Sequence, residues 1–333
     1  AYLATALQQL HIDQVILSPE GSVLGTRMME AGIPVASFTT RGFLDLSLAR
    51  RIYDLCKGKH FDIIHCHDSH AHSAAVLTAA HYGITTPIIV SRRVDFPVSS
   101  NPHSKKIICV SDTIRTITAP SIKDVSRLAV VHSGIDLLKY SNASKERILI
   151  SELGLDPNAK IVGNLSALAD HKDYPTYLRT AAEVIKADPT IHFIIAGQGP
   201  EEKRIQKMIR SLHLEGNVHM LGFRDDIVDV MKSLDLFLIT SKTEGLGTIV
   251  LEAFAAGVPV VATRAGGIPE MVEDTVTGLL AEPGDTESLK NATLCVLTDP
   301  LLKNTFVQNA LTRVQDFSYQ ATAEKTLEIY KRS

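Results

Sequence analysis

Glu244 and Glu252 are the residues of this chain whose type and spacing offer the most chemistry. They bracket Gly245-Leu246-Gly247-Thr248 and an apolar stretch, 249–256, in which Glu252 is the one charged side chain. Gly245 and Gly247 permit close approach to the backbone. A helix starting there presents unpaired N–H groups and a positive dipole end, which suits a phosphate. With Glu252 two turns into that helix, the carboxylates stand about 12 Å apart along the axis. That span matches a diphosphate with a sugar at one end and a ribose at the other. Vicinal hydroxyls at both ends can donate to carboxylates. A capping role for Glu244 and a solvated helix position for Glu252 are the plainer accounts. The second fits poorly, because Glu252 lies between Leu251 and Ala253.

Other segments add to this reading. Gly197-Gln198-Gly199-Pro200 follows an apolar run at 191–196, and Ala265-Gly266-Gly267-Ile268-Pro269-Glu270 follows another at 258–262. Lys172 follows the run at 160–165, where it is either a cation for the phosphates or a solvated loop lysine. In the first half, His65, His67, His70 and His72 crowd one segment. His65 and His67 share a strand face, a start toward a metal site. No closed ligand set with the usual spacing follows, so no metal and no cofactor is expected. Arg92 and Arg93 end another apolar run. Their forks suit a phosphorylated or acidic acceptor, and a solvated loop pair fits as well.

The elements that must hold these residues alternate throughout. Apolar runs at 15–17, 33–38, 62–65, 88–91, 107–110 and 128–132 are separated by helical patterns at 41–57, 71–82 and 112–118. The second half repeats the scheme, with runs at 160–165, 191–196, 217–221, 235–240, 258–262 and 277–281. Its helical patterns lie at 174–186, 201–212, 227–232 and 248–256. Such alternation predicts α/β architecture, with parallel sheets covered by helices. Two sets predict two doubly wound domains, 1–142 and 143–316, followed by a helical segment 317–333. Leu3, Leu7 and Leu10 sit at helical spacing. A doubly wound domain normally opens with a strand and a glycine-rich turn. The first strand is therefore expected to be absent.

Composition excludes several classes. Hydrophobic residues are 45% and charged residues 21% of the 333, as in ordinary globular proteins. A net charge of −3 gives no reason to expect nucleic acid. The four cysteines, Cys56, Cys66, Cys109 and Cys295, have no metal-type spacing and read as free thiols of a reducing compartment. No run approaches the roughly 20 apolar residues of a membrane span. A cytoplasmic protein is expected. Peripheral contact with the inner membrane stays open, although no strong basic amphipathic helix argues for it.

The Glu244/Glu252 pair, followed by G-V-P-V-V-A-T and G-G-I-P-E, resembles the retaining glycosyltransferases of family 4, with the GT-B fold of two Rossmann-like domains facing a cleft. His132-Ser133-Gly134-Ile135-Asp136 resembles the family's N-G-V-D turn, Gly197–Pro200 its G-x-G-P loop, and the stretch from Asp316 to Tyr330 its returning terminal segment. The resemblance implies transfer from a UDP- or GDP-hexose to a glycan or lipid-linked acceptor, in bacterial surface-polysaccharide synthesis. The anomeric configuration would be kept without a metal. It implies that Glu252 binds the ribose and that Glu244 meets the transferred sugar beside the Gly245 and Leu246 N–H groups. Lys172 would neutralise the leaving diphosphate, with Gly247, Thr248, Gly197 and Gly199 around the donor. Phe223 and Arg224 would lie near the base, and His67 near the sugar. An Arg usual in the family about five residues before the Lys is Ala167 here. Two other readings share the residues. One is a catalytically impaired nucleotide-sugar-binding protein. The other is an epimerase of similar architecture, which should lack the Glu244/Glu252 arrangement.

Overall fold

The computed structural model describes residues 1–39, 46–94, 103–141 and 146–333. They form two compact units, Ile135–Ser318 and a second made of Ala1–Gly134 with Tyr319–Ser333. The strands are β1 Ile16–Pro19, β2 Val35–Phe38, β3 Ile64–Cys66, β4 Ile88–Arg92, β5 Ser104–Cys109 and β6 Leu128–Val130. They continue with β7 Lys160–Leu165, β8 Ile191–Ala196, β9 Val218–Gly222, β10 Leu236–Ile239, β11 Val260–Thr263 and β12 Leu279–Ala281.

Unit Ile135–Ser318 carries one six-stranded sheet, ordered β12-β11-β10-β7-β8-β9, and every pairing is parallel. Both faces are covered, which is why its strands read as unbroken apolar runs. On one side Tyr177, Leu178 and Ala181 of helix Tyr174–Ala187 pack against Val162, Phe193, Ile195 and Leu236. Tyr177 is wholly buried, and its hydroxyl donates to the Ile194 carbonyl at 2.8 Å. The order has a functional consequence. Strand β7 lies between β8 and β10, so the chain runs outward in one direction and then in the other. The loops leaving β7 and β10 flank that reversal, the place where open parallel sheets bind ligands. Lys172 is on the first loop and Glu244 on the second.

The other unit holds a two-stranded parallel sheet, β1-β2, and a four-stranded parallel sheet, β3-β4-β5-β6. Helix Tyr2–Gln9 turns Ala6 and Leu7 onto Tyr319 and Ala323 of the terminal helix Tyr319–Lys331. Leu10 falls just past the helix and is 37% exposed.

The boundaries differ from expectation by a few residues. The chain enters unit Ile135–Ser318 at 134/135 and not at 142/143, because Tyr140 on helix Leu138–Ser141 is buried there. It leaves at 318/319 and not at 316/317, since Ile135 N–H bonds the Phe317 carbonyl at 3.0 Å. The helical pattern at 41–57 is observed as Leu46–Gly58, residues 41–45 lying outside the described ones. Helices Thr286–Thr298 and Pro300–Arg313 have too little apolar periodicity to be read. Their signals are instead the capping aspartates, Asp285 and Asp299, and Pro300 in the first turn.

Candidate active site

The loop after β10 runs from Thr240 to Thr248, and helix Ile249–Ala255 follows. Glu244 therefore precedes the first helical residue by five positions, and Glu252 lies in the first turn. The expected axial spacing of the two carboxylates does not apply, because the intervening chain is mostly loop. Leu246, Val250, Leu251, Ala253 and Phe254 are buried and anchor this stretch. Its conformation depends on Gly266, at φ +54°, where an added Cβ would fall 1.7 Å from the Glu244 carbonyl oxygen. The G-G-I-P-E loop thus braces the backbone of Glu244 directly, which no other residue at 266 would allow.

Glu244 and Lys172 meet. Lys172 Nζ is 2.5 Å from Glu244 Oε1, with side chains only 13% and 9% exposed. Ser241 donates to the same oxygen at 2.7 Å. Thr240, at the strand end, donates to the carbonyls of Lys172 and Asp173 at 3.2 Å each. Lys242 N–H bonds the His171 carbonyl at 2.8 Å. The β7 and β10 loops are therefore joined by backbone bonds as well as by the ion pair. Ser241 carried no motif signal in the sequence.

Glu252 is held differently. Its Oε2 accepts a short hydrogen bond from the Tyr140 hydroxyl. Burial pushes the carboxyl upward in pKa, opposed by the Tyr140 bond and the charge of Lys139. Sequence reasoning missed Tyr140. Its trace is only an aromatic four residues beyond Asp136.

Gly197 and Gly199 serve packing. Added Cβ atoms would fall 2.0 Å from the Ser166 carbonyl oxygen and 2.4 Å from that of Leu168. The loop that leads to Lys172 rests on this turn, with Leu168 N–H bonded to Gln198 and Glu201 N–H bonded to Leu168, both at 3.0 Å. Phe223 stands 63% exposed just past β9. Arg224 is engaged by Asp226 at 2.6 Å and Glu152 at 2.5 Å, and these partners raise its pKa.

In the other unit, His65 is locked between Tyr330, whose hydroxyl is 2.6 Å from Nδ1, and Ser91, whose hydroxyl is 2.8 Å from Nε2. The His67 ring lies 4.1 Å from it, centroid to centroid. Burial, then the neighbouring His67 and Arg93, hold His65 well below its usual pKa. Burial, then the charge of Arg93, lowers His67 in the same direction, to about 4. Both imidazoles are neutral at pH 7. Arg92 is 8% exposed at the end of β4, opposite Cys109. Arg93 is exposed, with Nη2 3.2 Å from Ser133 Oγ. Of the two arginines, Arg93 is the one within reach of a ligand. Among the described residues no three His, Cys, Asp or Glu side chains are grouped to hold a metal.

Residues 145–313 match the family described as glycosyl transferases group 1, and residues 1–138 match glycosyltransferase family 4. The chain belongs to the group 1 glycosyl transferases. One group 1 relative, N-acetyl-alpha-D-glucosaminyl L-malate synthase of Bacillus anthracis, is 28% identical over 302 residues, covering 86% of this chain and 78% of that enzyme. Another is UDP-Gal:alpha-D-GlcNAc-diphosphoundecaprenol alpha-1,3-galactosyltransferase of Escherichia coli. It is 25% identical over 310 residues, covering 86% and 79%. The crystal structure of Anabaena HepE in complex with UDP-glucose superposes with a TM-score of 0.87 at 23% identity, covering 99% of this chain and 95% of that one. That likeness establishes the group 1 fold, the α/β pair of Rossmann-like units expected from the sequence. Ala167 is exposed on the loop that leads to Lys172.

Proposed function

We propose that the chain is a retaining, metal-independent hexosyltransferase that uses a UDP- or GDP-hexose. The observation that carries this reading is the joined pair Lys172 and Glu244, at the reversal point of a parallel sheet, with a partly buried Glu252 in the first turn of the helix that follows. In the reaction the bond from the anomeric carbon to the diphosphate breaks, and one to the acceptor oxygen forms on the same face. The departing phosphate oxygen takes the acceptor's proton. Lys172 stabilises the charge that develops on the diphosphate, in a site that largely excludes water. Glu244 orients the sugar hydroxyls beside the Gly245 and Leu246 N–H groups, and Glu252 accepts from the ribose. Gly247 and Thr248 line the diphosphate, and Phe223 stacks on the base.

The acceptor is a hydroxyl compound carrying an anionic group. Arg93 supports this, being exposed and without a carboxylate partner among the described residues. The acceptors named for the two relatives, malate and a lipid diphosphate, are both anionic. A lipid-linked glycan of bacterial surface-polysaccharide synthesis fits, reached by peripheral membrane contact. No helix among the described residues is long and apolar enough to cross a membrane.

Titration calorimetry with UDP, GDP, ADP and their hexose conjugates tests the donor half. Selective binding of one nucleotide, lost in Glu252→Ala, is expected. NMR of the product's anomeric proton, with and without EDTA, tests the rest. An inverted product, or activity abolished by EDTA, would sink the reading. Ala167 favours a second reading, binding of the nucleotide sugar without turnover, which the same assays separate from the first.

A further inference from the structure

We propose that Tyr140 is a positioning residue for Glu252, and that it sets how tightly the vicinal diol of a nucleoside diphosphate is held. The inference rests on the reading of Glu252 as the ribose ligand and adds a residue that reading does not contain. Tyr140 is 3% exposed on helix Leu138–Ser141, and its hydroxyl donates to Glu252 Oε2. Glu252 comes from a different helix, Ile249–Ala255, 112 positions further along the chain. The contact is therefore one of tertiary packing, beyond any local turn.

A glutamate carboxylate rotates broadly about its last torsion, so an unheld one presents either edge to a ligand. A buried donor on one oxygen removes that freedom. It occupies one of about four acceptor positions on the carboxylate and leaves the others for hydroxyl donors. The same bond favours the ionised form, which burial disfavours. An ionised, oriented carboxylate is the form that accepts from two adjacent hydroxyls. Tyr140 thus removes an ordering cost that would otherwise fall on nucleotide binding. Its ring is anchored on the segment just after His132-Ser133-Gly134-Ile135-Asp136.

The test is calorimetric titration of the whole chain with UDP and with 2′,3′-dideoxy-UDP, with GDP and its dideoxy analogue in parallel. The proteins are wild type, Tyr140→Phe, Glu252→Gln and the double variant. Phenylalanine keeps the buried ring and removes only the hydroxyl, and thermal melting of each variant checks folding. Tyr140→Phe is expected to weaken the ribonucleotide about ten- to a hundredfold, the scale of a hydrogen bond to a charged group. It should leave the dideoxy analogue at its wild-type affinity, and the double variant should bind no more weakly than Glu252→Gln. Equal weakening of both nucleotides would make Tyr140 a merely structural residue and overturn the proposal. So would an unchanged Tyr140→Phe beside a weakened Glu252→Gln. If Glu252→Gln binds the ribonucleotide like wild type, or the folded wild type binds neither nucleotide, the ribose reading itself fails and takes the proposal with it.

Discussion

Lys172 Nζ and Glu244 Oε1 are 2.5 Å apart, joining the loops that leave two neighbouring strands of one parallel sheet. Each charge is largely withdrawn from water, so each depends on the other. Lys172→Met and Glu244→Gln should each destabilise unit Ile135–Ser318 by about 2–4 kcal/mol, because one charge is left unpaired. The double variant should recover much of that loss, yet remain inactive. Urea unfolding of the two singles and the double gives the coupling directly. Additive losses would mean that the two side chains touch without depending on each other.

Glu252 gives a prediction in which stability and binding move apart. Its folded-state pKa is raised, first of all by burial. A raised carboxyl contributes stability at low pH and loses it as pH climbs through the folded pKa. At pH 7.5 the charge is therefore a cost. Glu252→Gln should melt higher than wild type at about pH 7.5, with the difference fading toward pH 4.5, while nucleotide affinity falls. A lower melting temperature at neutral pH would show that the Tyr140 bond outweighs the burial.

Neutral histidines set the acid limit of the other unit. Burial is the first cause that lowers the pKa of His65, and likewise of His67 and His72. Below the usual value of 6.5 the unfolded chain takes up protons that the folded one resists, so stability falls as pH drops through that value. His65→Gln should lower the melting temperature at pH 7.5 through the lost Tyr330 and Ser91 bonds, and flatten the decline between about pH 6.5 and 5. An unchanged slope would exclude His65 as a contributor.

Phe223 is exposed, so Phe223→Ala should leave stability within about 0.5 kcal/mol of wild type. If its ring stacks on the base, nucleotide affinity should drop by about 1–3 kcal/mol. Unlike the loss from Tyr140→Phe, this drop should be equal for ribo- and dideoxynucleotides. Unaltered affinity by calorimetry would remove Phe223 from the site.

Most strands and the alternating architecture were legible because doubly covered parallel strands are continuous apolar runs; 160–165 and 191–196 match β7 and β8 residue for residue. The glycine loops were legible as turns, but their reason was not. Gly197 and Gly266 answer to carbonyl oxygens of Ser166 and Glu244, neighbours that only the folded chain brings near. Glu244 and Lys172 were legible singly, as residues on loops that follow strands. Their bond was not, since it depends on β7 and β10 being adjacent although the 70 residues 166–235 lie between them. Tyr140 and Ser241 were invisible for the same reason. A hydroxyl announces nothing in a sequence until its acceptor is in place.

The terminal helix Tyr319–Lys331 carries a further consequence, for the order in which the molecule is made. Unit Ile135–Ser318 is one unbroken stretch of chain and can close as soon as it leaves the ribosome. The other unit, although begun first, must wait. The hydroxyl that Nδ1 of His65 bonds belongs to Tyr330, 265 residues later, and the cover for Ala6 and Leu7 arrives with Tyr319 and Ala323. The first half emerges with these apolar and imidazole groups open, and they are covered only once helix Tyr319–Lys331 has followed it.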